Sequence, residues 1–128
     1  MGMKGVAGDE AFGYESRPDK PSIDLQSLTM FSHVVIFWTK SEQPNAADEL
    51  VAGAEKYLRP IPGVQRFHIG RMVGSHRDVV DQSYQVALNL AFENKQQQDD
   101  YQIHPLHLEF VEKVFKPNCQ RAVIYDFE

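Results

Sequence analysis

The chain has 128 residues, a net charge of −5 and one cysteine, with 42% hydrophobic and 24% charged residues. That is the length of one domain able to bury a core. The acidic balance argues against nucleic-acid binding, the lone Cys119 excludes a disulfide framework and a Cys-rich zinc site, and no apolar run approaches the roughly 20 residues of a membrane span.

There is no Lys/Arg cluster for an anionic membrane surface and no basic-then-apolar secretory leader. A single unpaired cysteine fits a reducing compartment, so cytoplasmic residence is expected. Residues 1–29 are rich in Gly, Pro, Asp, Glu and Ser and show no period. Such a segment cannot bury enough apolar surface alone. It reads as an N-terminal extension lying across the domain or a partner subunit, anchored by Phe12 and Tyr14, with the globular domain occupying 30–128.

Phe31 to Thr39 is the first predicted strand. Phe31, His33, Val35 and Phe37 share one face; Val34, Ile36 and Trp38 share the other. Both faces are apolar, so both are expected to be covered. Ser41 or Asn45 is a candidate cap for a helix over 46–58, in which Ala47, Leu50, Val51, Ala54 and Leu58 recur at helical spacing. Pro60 and Pro62-Gly63 end it in a turn. Val64–Val73 and Tyr84–Phe92 read as strands of a hairpin, joined by a polar loop that carries His76, Arg77, Asp78 and Asp81. Glu93–Asp100 is helix-compatible. Pro105 then opens a second long helix, with Leu106, Phe110, Val111, Val114 and Phe115 at helical spacing. Lys116-Pro117-Asn118 stops it, and Arg121–Phe127 is the last strand.

The order β-α-β-β-α-β predicts an α+β, ferredoxin-like fold: a four-stranded antiparallel sheet with the helices on one face. Val34, Ile36 and Trp38 would be bare on the other face of a monomer, which points to a homodimer with two sheets packed face to face as a barrel.

The chemistry is concentrated in Tyr101-Gln102-Ile103-His104-Pro105-Leu106-His107. His104, just before the proline, reads as a structural cap. His107 lies beside the core-facing stripe of its helix and can point its ring between helix and sheet. A near-neutral histidine and a phenol can serve as base and acid in carbonyl chemistry. His33, on the face of Val35 and Phe37, would join the same cavity. Its expected walls are Val35, Phe37, Leu50, Val51, Ala54, Phe67, Val86, Leu88, Phe110, Ala122 and Ile124, a mostly apolar cleft suited to a small ligand. His104 and His107 lack metal-ligand company at the usual spacing, so no metal is expected. There is no phosphate loop and no nucleophile elbow.

His33-Val34-Val35, Ile61-Pro62-Gly63-Val64, Gly70-Arg71, Phe92-Glu93, the Tyr101…His104-Pro105…His107…Phe110-Val111 run and Asp126-Phe127 together resemble the stress-responsive α/β-barrel (Dabb) domain family, over about residues 31–128. The resemblance implies a ferredoxin-like fold that dimerises into a barrel. It implies that Tyr101 and His107 match the acid–base pair of a plant polyketide cyclase in the family, and that His33 matches a further pocket histidine. Val86 and Ala54 stand where that enzyme carries a histidine and a tyrosine, so its particular cyclisation is not implied. Three function classes follow. One is a cofactor-free cyclase- or lyase-like enzyme using Tyr/His acid–base chemistry. The second is a non-catalytic stress-response protein that binds a small ligand. The third is a relative of the monooxygenases that share the dimeric barrel.

Overall fold

The computed structural model describes residues 30–128; the expectation of an arm anchored by Phe12 and Tyr14 lies outside the described residues. Four strands, β1 (Phe31–Thr39), β2 (Arg66–Arg71), β3 (Val86–Phe92) and β4 (Cys119–Phe127), form one sheet in the order β2-β3-β1-β4. All three pairings are antiparallel. This is the predicted ferredoxin-like arrangement.

Helix α1 (Ala46–Gly53) continues through a π-helical turn, Ala54–Leu58. Asn45 occupies its N-cap position, but its side chain makes no capping bond. Helix α2 (Lys95–Gln102) is capped by Asn94, whose side chain accepts from the Gln97 amide at 2.9 Å. Helix α3 (Pro105–Phe110) also passes into a π-helical turn, Val111–Phe115, and a last turn, Lys116–Asn118. The helix therefore ends within Lys116-Pro117-Asn118, as the sequence suggests, with these three residues forming its last turn. The buried Asn118 amide donates to the Val114 carbonyl at 2.9 Å and holds the final turn. The chain becomes extended at Cys119, two residues before the expected strand start. β2 and β3 are each shorter than predicted, and a long loop joins them.

The helices cover the face of β1 that carries Phe31, His33, Val35 and Phe37, all of them buried. Leu50, Leu58, Leu88, Leu90 and Phe92 are at most 1% exposed and fill the space between the layers. Burial of side chains this size stabilises by roughly 1.5–3 kcal/mol each. Gly53 sets the approach of α1 to α3, because a Cβ there would lie 2.6 Å from both Val114 methyl groups. Gly63 holds the turn after α1 with φ of 95°, a conformation that favours glycine.

Register decides which β4 residues face the helices. Ala122, Ile124 and Asp126 lie opposite Phe37, Val35 and His33. Directly opposed residues share a face, so these three join the helix side. Val123, Tyr125 and Phe127 lie opposite Ile36, Val34 and Ser32 and line the other side. Tyr125 and Phe127 are about three-fifths exposed there, and the Arg121 guanidinium stacks 4.0 Å from the centre of the Trp38 ring.

Candidate functional site

A cavity of about 170 Å³ opens between the sheet and the helices. Val35 and Phe37 of β1, Leu88 of β3, and Ala122 and Ile124 of β4 form its floor. Leu58 comes from the π turn of α1, and Val111 and Phe115 come from that of α3. A π turn carries an extra residue per turn, which shifts the side chains that follow it and is frequent at functional sites. Both π turns of this fold deliver side chains to the cavity.

The polar end gathers at His33, Tyr101, Gln102 and His107. His104 is not part of it. Its Nδ1 accepts from the Leu106 amide at 3.0 Å at the start of α3, as expected of a cap. Pro105 fits the first helical position, where its missing N–H would have no partner. The break between α2 and α3 then turns the Tyr101 and His107 rings edge to face, 4.9 Å between centroids.

Tyr101 is 1% exposed and also meets Phe92 at 5.1 Å and His33 at 5.8 Å between ring centroids. Its hydroxyl makes no hydrogen bond to a described residue. Burial raises the phenol pKa well above its usual range, so the hydroxyl stays protonated. His107 is half-buried. Burial, and then the neighbouring His33, lower its pKa to about 4, so the ring is neutral at pH 7. Its Nδ1 is the one buried side-chain nitrogen or oxygen among the described residues without a hydrogen-bond partner. Buried polar groups are normally paired, and His107 is among the residues that line the cavity.

His33 is buried, and its Nδ1 lies 2.6 Å from Asp126 Oδ1. A carboxylate only accepts, so Nδ1 carries the hydrogen and donates. Gln98, also buried, brings its Nε2 to 3.5 Å from the same nitrogen. Nδ1 has one hydrogen and gives it to the closer carboxylate, so the amide makes a contact there and no second hydrogen bond. Among the described residues, no group of three or more His, Cys, Asp or Glu could hold a metal ion. No described helix is long and apolar enough to cross a membrane.

Of the residues predicted for the site, the structure brings His33, Val35, Phe37, Tyr101, His107, Phe110 and Ile124 together around the cavity. Val51, Ala54 and Val86 are elsewhere. Ala54 and Val86 are 0% exposed within the core, and Val51 packs against that core. At Gly53, next to Ala54, α1 and the Val114 side chain pack so closely that there is no room for even a Cβ. Leu50 is closed into the core in the same way, and Phe67 lies under the Arg59 guanidinium on β2. The sequence reading missed Gln98, Gln102 and Asp126. The four-residue spacing of the glutamines placed them on one helix face beside Tyr101, but nothing local marked that face as inward. Asp126 could have been found from the β1–β4 register alone.

An antiparallel sheet ordered β2-β3-β1-β4, with helices on one face and a cavity beneath them, defines a ferredoxin-like α+β domain. Within that class, the chain belongs to the Stress responsive A/B Barrel Domain family, whose model matches residues 31–128. A stress-response A/B barrel domain-containing protein of Arabidopsis thaliana is 32% identical over 97 residues, covering 76% of this chain and 84% of the relative. A dimeric ferredoxin-like protein from Thermobifida fusca superposes with a TM-score of 0.64 at 18% identity, over 77% of this chain and 89% of that one. The hydroxynitrile lyase of Passiflora edulis superposes with a TM-score of 0.65 at 19% identity, over 77% of this chain and 92% of that one. At these identities the two structures share the fold.

Proposed function

We propose that this domain binds a small, largely apolar carbonyl compound in the cavity and promotes proton transfer on it without a cofactor. His33, Tyr101 and His107 are the working groups; Val35, Phe37, Phe110 and Ile124 hold the apolar body. The observation that carries this reading is the buried Nδ1 of His107, which has no hydrogen-bond partner among the described residues, on a ring 4.9 Å from that of Tyr101 at the polar end of a largely apolar cavity. An engineered cavity of about 150 Å³ holds benzene, so about 170 Å³ suits a single-ring or short branched molecule. The same volume is too small for a macrocycle, which weighs against a haem-dependent monooxygenase.

The chain also works as a homodimer in this proposal. Tyr125 and Phe127 are exposed beside Val34 and Ile36 on the outer sheet face, and a contiguous apolar face of this kind marks an interface. The Thermobifida fusca neighbour is dimeric. Cytoplasmic residence completes the reading, since a reducing compartment keeps a free, buried Cys119 as it is.

The test is exchange of the methyl protons of acetophenone in D₂O, followed by NMR with the full chain. Wild type is expected to accelerate exchange, and Tyr101→Phe and His107→Ala to lose roughly 10²-fold, the usual size of an acid–base contribution. Full exchange in His107→Ala would sink the site assignment. Neither binding nor exchange with any single-ring ketone would sink the carbonyl reading.

A further inference from the structure

We propose that Gln102 determines which nitrogen of His107 carries the hydrogen, and thereby makes the cavity a donating site, selective for ligands whose polar head only accepts. This rests on the small-ligand reading above and assigns roles within it. Gln98 Nε2 donates to Gln102 Oε1 at 2.8 Å. With its oxygen engaged, Gln102 turns its amide nitrogen toward His107, 3.3 Å from the ring Nε2. An amide NH₂ donates and cannot accept. His107 Nε2 therefore presents its lone pair, and the hydrogen of the neutral ring sits on Nδ1. That is the buried atom without a partner.

Two residues at the polar end of the cavity then carry donors, His107 at Nδ1–H and Tyr101 at its hydroxyl. Among the described residues no Lys or Arg lines the cavity, so none of them compensates the charge of a carboxylate or phosphate. The fitting head is a neutral aldehyde or ketone oxygen. The proton acceptor is then His33: with its Nδ1 hydrogen donated to Asp126, Nε2 keeps the free lone pair. The depressed pKa of His107 agrees with this division, because a ring that resists protonation is a poor base and a sound neutral donor.

The tautomer of His107 can be read directly from ¹⁵N shifts of histidine-labelled protein at pH 8, where the ring is neutral. Wild type is expected to show Nδ1–H. In Gln102→Glu, a carboxylate that only accepts replaces the amide, and His107 is expected to switch to Nε2–H. Gln102 is exposed, so the fold tolerates the change. Acetophenone, an acceptor-only probe, is expected to bind Gln102→Glu about tenfold more weakly than wild type, the loss of one hydrogen bond. Pyrrole, a donor-only probe, is expected to gain. An Nε2–H ring in wild type, or an unchanged tautomer in Gln102→Glu, would overturn the proposal. If the tautomer switches but neither probe binds either form, the ligand reading fails and the role of Gln102 in setting the tautomer stands.

Discussion

Replacing His107 by Leu should flatten part of the acid dependence of stability, by an amount the structure allows us to work out. The His107 pKa falls from 6.5 in the unfolded chain to about 4 in the fold. Between those values the unfolded state takes up a proton that the native state refuses. Stability therefore rises with pH across this window. The contribution is complete above about pH 6.5 and is lost as pH falls through about 4. At 1.36 kcal/mol per pH unit the shift corresponds to roughly 3 kcal/mol. The ring is partly open to solvent, and screening brings this to roughly 2 kcal/mol. Urea denaturation of wild type and His107→Leu at pH 7 and pH 4.5 measures it. The pH-dependent loss should be smaller in the variant by most of that amount, and the carboxylates common to both chains cancel in the difference. At pH 7, removal of a buried unpartnered nitrogen should leave the variant at least as stable as wild type. Parallel pH profiles for the two proteins would refute the buried, neutral His107.

Gly53→Ala should destabilise by about 1–3 kcal/mol, because the new methyl meets the Val114 side chain; pairing it with Val114→Ala in thermal melts should restore part of the loss. Asp126→Asn keeps the side-chain shape but removes the carboxylate from His33, so ketone proton exchange should fall at least about tenfold while acetophenone still binds; an unchanged exchange rate would remove His33 as the base. Ile36→Glu, in the middle of the outer apolar face, should convert a dimer to a monomer in analytical ultracentrifugation, and an unaltered sedimentation coefficient would show that this face is not the interface.

The fold was legible because its strands and helices carry clear periods. The alternation in Phe31–Phe37 predicted both faces of β1, and Pro62-Gly63 predicted the turn after α1. The Tyr101–His107 run predicted the polar end of the cavity, since a proline between two short helices brings side chains on either side of it together. The rest depended on contacts distant in sequence. Asp126 meets His33 across 93 positions and Gln98 meets it across 65, and no local pattern separates these residues from ordinary surface polars. Ala54 and Val86 failed as wall residues for a related reason. Periodicity shows which face of an element is inward, but the depth of packing at each level depends on the Gly53–Val114 approach, which belongs to two helices at once.

The division of the cavity between a polar end and an apolar floor also divides the gene. The groups that would meet an oxygen sit in one short run around α2 and α3, together with His33. The floor is assembled from three separate strands. Substitutions at Ala122, Ile124 or Leu88 can therefore reshape the space for the body of a ligand without disturbing the head. A lineage built on this plan can change what it accepts one wall at a time while keeping its reactive groups, a route to diversification that a site drawn from a single loop would not offer.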